Sequence, residues 1–419
     1  MIHCMNNKNI QRLKKRNKMK KTLLIFVSLY ALCACTYSKS SGNEQTTTQA
    51  SVEAPIKMGA EVTEGYFPLI EGKRVAILTN QTGMVGDEHL VDLLKRNEFN
   101  VVGIFSPEHG FRGTADAGEH VASSIDEKTG IPIWSLYEGK SGKPSVETMQ
   151  KFDVLVFDLQ DVGLRFYTYY ASMARMMDAC AEHNKEMIVL DRPNPNGFYV
   201  DGPILDMKHK SGVGWLPIPV VHGMTLGELA LMINGEKWLP NERICNLTVI
   251  PCEDYTRDMR YELPISPSPN LPNIHSIYLY PSTCLFEGTV VSLGRGTSFP
   301  FEAYGHPKYT GSDFSFTPRS VPGAKNPPLL DQKCYGVDLR KVSDEYIWEN
   351  KFDLSYVIDA YNNLKMGNKF FSSFFEKLVG VDYIRSMIME GKSNEEIRAM
   401  WQDDVKKFEE QRQPYLLYK

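Results

Sequence analysis

A chain of 419 residues with 42% apolar and 23% charged residues is soluble and globular in composition, which excludes global disorder, and its length favours two domains. The net charge of −4 hides an asymmetry: eight Lys and Arg and no acid fall in residues 1–34, so removing those eight positive charges leaves −12. A surface of that sign repels phosphates, and no basic stripe with interleaved aromatics survives, so no nucleic acid partner is expected.

The basic segment precedes the apolar run Thr22 to Ala34, the pattern of a secretory signal whose core is too short to span a bilayer stably. It ends in Leu32-Cys33-Ala34-Cys35, which resembles the lipobox of bacterial lipoproteins. Cys35 is then the expected lipidated N-terminus, a membrane anchor holding the chain in the cell envelope on its periplasmic or outer side. Cys33 departs from the commonest pattern, and conventional cleavage that leaves Cys35 an ordinary residue is the alternative. Met19-Lys20-Lys21 is the more natural start, which makes residues 1–18 an extension of the signal segment 1–34. Residues 36 to about 55 are rich in Ser, Thr and Gln and cannot bury enough surface to fold alone, so 35–58 reads as a tether.

From Lys73 the pattern changes. Arg74 to Thr79 reads as a buried strand, His89 to Arg96 carries apolar residues at helical spacing, and Val101 to Phe105 is the next strand. Pro132 to Leu136 adds a short strand, Asp153 to Phe157 a clear one, Tyr169 to His183 a helix and Glu186 to Leu190 a further strand. This alternation predicts an α/β fold with a Rossmann-like, mostly parallel sheet over residues 59–212. Each strand ends in a polar cluster: Asn80-Gln81-Thr82-Gly83, Ser106-Pro107-Glu108-His109-Gly110, Asp158-Leu159-Gln160-Asp161 and Asp191-Arg192-Pro193-Asn194. In such a sheet the four loops converge on one edge, where ligands bind. The second loop is the most crowded, adding Arg112, Asp116, Glu119 and His120, and Glu108 is the first candidate for chemistry. The first turn lacks the glycine fingerprint of a pyrophosphate cradle and there is no Walker loop, so no nucleotide cofactor is expected.

Gly and Pro punctuation between Asp201 and Gly223 marks the expected crossing into a smaller α+β domain, residues 213–419. Thr225 with Glu228 three residues on is a capping box for the helix LGELALMING, and Ile244 to Ile250 reads as a strand. Residues 264–301 are Pro- and Gly-rich, a loop long enough to suggest function. Beyond it, Asp353 to Lys365, Phe370 to Val379 and Asn394 to Arg412 read as helices, the last capped by Ser393 and stopped by Pro414. The five cysteines Cys180, Cys245, Cys252, Cys284 and Cys334 read mainly as buried thiols, with Cys245 and Cys252 the sequence-near disulfide candidates.

Six blocks carry a resemblance: SPEHGFRG (106–113), FDLQDVGLRFYTY (157–169), DRPNPNG (191–197), PIPVVHGMTLGEL (217–229), PSPNLP (267–272) and YPSTCLFEGTVVSLGRGTSFPFE (280–302). Together they resemble the bacterial exo-β-N-acetylmuramidases, over nearly the whole chain from Lys73. The resemblance implies a Rossmann-like domain, a smaller C-terminal domain and a cleft between them. It also implies release of N-acetylmuramic acid from the non-reducing end of peptidoglycan fragments by cleavage of its β-1,4 bond to N-acetylglucosamine. Muramyl saccharides are the expected partners; the oligomeric state is left open.

Glycoside hydrolysis needs two carboxyl groups, or one acid with help from the substrate's acetamido group. Glu108, at a strand end beside His109 in a glycine-bounded loop, is the expected general acid; capping of the following turn is its structural alternative. For the second carboxylate Glu287 ranks first, with Asp158, Asp161 and Asp116 as alternatives; Asp158 and Asp161 could instead orient the acetamido group. The lactyl carboxylate of muramic acid calls for a cation, with Arg112, Arg165, Arg192 and Arg295 as candidates. His109, Tyr167 and Asn194 complete the expected substrate contacts, while Phe166, Tyr167 and Tyr169 could stack on sugar faces or fill core. His109 and His120 near Glu108, Asp116 and Glu119 lack a recognised metal-ligand spacing, so no metal is expected. A non-catalytic saccharide-binding lipoprotein, or an esterase or amidase acting on peptidoglycan substituents, remain the alternatives.

Overall fold

The structure, a computed structural model, describes residues 56–107, 111, 124–136 and 142–419. The loop residues Glu108, His109, Arg112, Asp116, Glu119 and His120, and Cys35, lie outside the described residues. In chain order the strands are β1 (Val75–Thr79), β2 (Met84–Val85), β3 (Glu88–His89), β4 (Val101–Ser106), β5 (Ser124–Ile125), β6 (Pro132–Ser135), β7 (Val154–Asp158), β8 (Glu186–Leu190), β9 (Asn246–Ile250), β10 (Ala303–His306), β11 (Ser315–Phe316) and β12 (Cys334–Asp338).

Seven of these form one sheet in the order β5-β6-β4-β1-β7-β8-β9, parallel except for the short edge strand β5. The chain builds outward from β1 to β6 on one side, then returns to β7 and runs to β9 on the other. This is the doubly wound order, and its switch point falls between β1 and β7. Alternation along the strands divides the core into two layers. Ala76, Leu78, Leu155, Phe157, Met187 and Val189 face the helices Tyr169–Glu182 and Leu226–Gly235. Val75, Ile77, Val154, Val156, Ile188 and Leu190 face the helices Thr63–Ile70 and Leu90–Arg96. Both faces are covered, which is why these strands read as continuous apolar runs. Gly103 is required in β4 because a Cβ there would sit 2.2 Å from the Trp134 ring.

Strand β9 pairs with β8 in this sheet, so the sheet takes its last strand from beyond residue 212, where the sequence suggested a crossing. The Thr225–Glu228 capping box is formed: Thr225 Oγ1 accepts from Glu228 N at 3.2 Å and Glu228 Oε2 from Thr225 N at 3.0 Å. Glu228 is fully buried, and its charge is met by Arg257 at 2.6 Å and by the backbone N–H of Leu417 at 2.8 Å, which docks the chain end on this helix.

Residues 264–301 are not one loop. Asn273 caps a helix over Ile274–Thr283, accepting from Ser276 N at 2.8 Å, and a 3-10 turn Cys284–Gly288 follows. The prolines of PSPNLP precede that cap, and Pro281 lies late in the helix, so neither blocks it. Strands β10, β12 and β11 make a small antiparallel sheet. The C-terminal helices are tied back through Asp201, whose carboxylate takes Arg398 at 2.5 Å and Trp401 Nε1 at 2.8 Å. Ser393 caps the helix Asn394–Arg398, a 3-10 turn intervenes, and helix resumes at Gln402–Arg412. All five described cysteines are buried free thiols; Cys252 donates to the Asp191 carbonyl at 3.2 Å, so Cys245 and Cys252 form no disulfide.

Candidate active site

The loops that follow β1, β7 and β8 meet at the switch point, as parallel strands with matched ends require. Thr79 and Asp158 are register partners. Beyond them Thr82 Oγ1 accepts from Gln160 N at 3.1 Å, and Gln160 Nε2 donates to the Pro193 carbonyl at 2.8 Å. Asp158 is completely buried and holds Arg192 in a two-point pair, Nε to Oδ1 at 2.5 Å and Nη2 to Oδ2 at 3.0 Å. The same guanidinium donates to the Met84 carbonyl at 3.0 Å. The loop after β4 enters this region through the buried Pro107, and Phe111 packs edge-on against His89 at 5.1 Å.

Several expected contact residues are instead committed to the protein. Arg165 is fully buried and donates to four carbonyls, those of Pro203, Ile218, Leu378 and Val379, at 2.7–3.0 Å. It joins segments far apart in sequence, and burial pushes its pKa down to about 10. Arg192 and Asp158 neutralise each other. Asn194 closes its own loop, accepting from Asn196 N at 2.8 Å and donating to the Met224 carbonyl at 2.8 Å. Asp191 is likewise buried among Thr225, Tyr418 and Gly227 N, and burial raises its carboxyl to about 6. Asp161 differs. One oxygen accepts from Gly163 N at 2.7 Å while Oδ2 is buried without a partner among the described residues. Burial raises this carboxyl to about 7, against the pull of the Gly163 and Val162 N–H groups.

A cavity of about 150 Å³ opens beside this edge. One wall is the aromatic run Phe166, Tyr167, Thr168 and Tyr169 that leads into the helix Tyr169–Glu182. Val213, Ser268, Asn270 and Leu271, the last three from PSPNLP, and Tyr280, Glu287, Arg295 and Phe301 complete the lining, with Tyr280 edge-on to Phe166 at 5.3 Å. The walls are bonded to each other: Tyr167 donates its hydroxyl hydrogen to the Pro267 carbonyl at 2.9 Å, and Asn80 Nδ2 donates to Tyr169 Oη at 2.8 Å. Phe166, Tyr167 and Tyr169 are each less than a tenth exposed, so they are core and cavity wall at once.

Among the described residues lining the cavity, Glu287 is the carboxylate and Arg295 the cation. Arg295 Nη2 and Nε approach Glu287 Oε1 at 2.5 and 3.1 Å, and the guanidinium lies 5.0 Å over the Phe301 ring. Burial opposes the Arg295 charge, but Glu287 outweighs it and the pKa is raised. Neither of these two bonds uses Nη1, and about a fifth of each side chain is exposed, so both groups remain addressable from the cavity. Ser268, Asn270, Tyr280 and Phe301 were not singled out from sequence; their signal was membership of the same blocks as Glu287 and of PSPNLP.

A doubly wound sheet with an aromatic-walled cavity beside its carboxyl edge, lined by a carboxylate from a later segment, is the frame of an α/β protein that binds a small ligand there. Two family models carry the finer assignment. That of the N-terminal part of the exo-β-N-acetylmuramidases matches residues 75–275, and that of the C-terminal part matches residues 278–418. The chain belongs to this family of glycoside hydrolases. It is 36% identical over 420 residues to the peptidoglycan β-N-acetylmuramidase of Bacillus subtilis strain 168, covering 96% of this chain and all of that one. Two crystal structures of DUF1343-family proteins from Bacteroides fragilis superimpose on it. One has TM-score 0.82 at 62% identity and the other 0.74 at 32%, each covering 87% of this chain and 99% of its own. The cavity takes its walls from residues within both matched regions.

Proposed function

We propose that this protein is an exo-acting glycoside hydrolase that releases N-acetylmuramic acid from the non-reducing end of peptidoglycan fragments. The observation that carries the reading is the Glu287–Arg295 pair at the end of an aromatic-walled cavity, in a chain matched by the muramidase family over both its parts. Glu108 is the proposed proton donor to the glycosidic oxygen, and Glu287 the carboxylate that meets the positive charge developing at the anomeric carbon. Arg295, through Nη1, is the proposed contact of the lactyl carboxylate. Asp158 and Arg192 act as positioning residues for the strand ends.

Purified protein is expected to release chromophore from a chromogenic β-N-acetylmuramide and not from the matched N-acetylglucosaminide. Cleavage of the glucosaminide with none of the muramide sinks the reading. The proposal extends to location: the basic and apolar run of residues 8–34 supports export, with Cys35 as a lipidated anchor to the envelope membrane. Fatty-acid labelling of the cell-expressed chain that persists in Cys35→Ala would refute that anchor.

A further inference from the structure

The helix Tyr169–Glu182 carries a cation that the reaction does not use. Arg175 lies with its guanidinium 4.6 Å from the ring centre of Trp215, and Lys210 brings its ammonium to 4.0 Å from the same centre. Trp215 and Arg175 are half-buried and Lys210 is exposed, so the group is open to solvent on one side. Two like charges share one ring, and among the described residues neither has a carboxylate partner. Two acids close to them in sequence are taken: Asp178 pairs with Lys143 and Arg243, and Asp206 with Lys208. The Arg175 Nε is buried and has no hydrogen-bond partner among the described residues. The ring attracts each cation but supplies no net negative charge, so among the described residues no acid compensates their mutual repulsion. The platform adjoins the cavity: Val213, two residues before Trp215, is one of its walls, and the Trp215 N–H donates at 2.9 Å to Tyr170, the neighbour of cavity-lining Tyr169.

We propose that Arg175 and Lys210, held on Trp215, form an outer subsite for a substrate carboxylate lying beyond the sugar that is released. This rests on the muramidase reading. Two sources have that chemistry: the lactyl carboxylate of a second muramic acid further along the glycan, or a free carboxylate of a peptide attached to that second muramic acid.

The test compares the parent enzyme, Arg175→Gln, Lys210→Glu and the double variant on three substrates. These are the peptide-free N-acetylmuramic acid–N-acetylglucosamine disaccharide, the peptide-free tetrasaccharide, and the tetrasaccharide whose inner muramic acid bears a short peptide with free carboxylates. The parent is expected to favour one or both of the last two by on the order of tenfold in kcat/KM, through KM. The variants should erase that preference and leave the plain disaccharide unchanged. Loss on the tetrasaccharide identifies the glycan carboxylate, and loss on the peptide substrate the peptide. A preference that survives in Lys210→Glu, an exposed position that does not threaten folding, overturns the proposal, as does a parent with no preference. A parent that cleaves none of the three defeats the muramidase reading itself. Calorimetric titration with the tetrasaccharide and the peptide substrate then decides the subsite: affinity lost in Lys210→Glu supports it, and equal affinity refutes it.

Discussion

Replacing Glu287 by Gln keeps the shape of the cavity end and removes its negative charge. In the parent, Glu287 Oε1 holds Arg295 at 2.5 and 3.1 Å, with about a fifth of each side chain exposed. At such separations and an effective dielectric of about 20, the attraction is on the order of 5 kcal/mol, and desolvation of the two ions offsets most of it. The net stability cost of the variant should therefore be roughly 1–3 kcal/mol, between the values for exposed and buried pairs. Catalysis should suffer more. If the carboxylate opposes the developing sugar cation, its loss should lower kcat about a hundred- to a thousandfold, or about 3–4 kcal/mol of barrier. The assay is steady-state hydrolysis of the chromogenic muramide, with urea unfolding of the same samples. The double change Glu287→Gln with Arg295→Gln should recover most of the lost stability and none of the rate, because it removes the unpaired cation without restoring the carboxylate. A kcat for Glu287→Gln within about threefold of the parent would refute the catalytic role.

Arg165→Met should cost about 3–5 kcal/mol in urea unfolding, since four buried carbonyls lose their donor, while activity per folded molecule is kept. A large rise in KM with unchanged stability would show instead that Arg165 touches substrate. Asp161, with its carboxyl raised to about 7, keeps in the folded protein a proton that the unfolded chain releases near pH 4. Its contribution to stability is thus full below about pH 4, declines as pH rises, and is lost above about pH 7, on the order of a few kcal/mol in all. Asp161→Asn should flatten that part of the slope between pH 4.5 and 7.5; an unfolding profile parallel to the parent's counts against a buried, protonated Asp161.

The sheet was legible because its strands are covered on both faces. Strands such as VAILT, VLVFD and EMIVL are apolar at four of their five positions and bounded by polar turns, and little else fits that pattern. The membership of β9 in the same sheet was not legible, because Asn246–Ile250 is an outer strand with an alternating burial pattern, and its partner choice is a tertiary fact. The helix Ile274–Thr283 was hidden by its prolines, although its Asn273 cap and Ser276 are in plain view. At the site, residue type marked where charge sits but not what consumes it. Arg165, Arg192 and Arg295 are alike as letters. They differ only in partners: carbonyls from distant segments, a buried aspartate from the next strand, and a carboxylate eight residues away that faces a cavity.

That difference in partners explains how one sheet edge can hold so many acids and still confine its chemistry. Asp158 ends β7, Asp161 and Asp191 follow β7 and β8, and all three are nearly or fully buried. Asp158 is spent on Arg192 and Asp191 on hydroxyls and a backbone N–H, while burial makes Asp161 hold its proton to about pH 7. None presents a free charge to the cavity. The negative charge that does reach it comes from Glu287, in the 3-10 turn beyond the helix Ile274–Thr283, carried by a segment that the sheet supports but does not contain. A sugar entering between the aromatic wall and PSPNLP would then meet a field set by Glu287 and Arg295. Catalytic polarity is thereby separated from the polar scaffolding of the strand ends, so substitutions at Asp158 or Asp191 should act through folding and those at Glu287 through turnover.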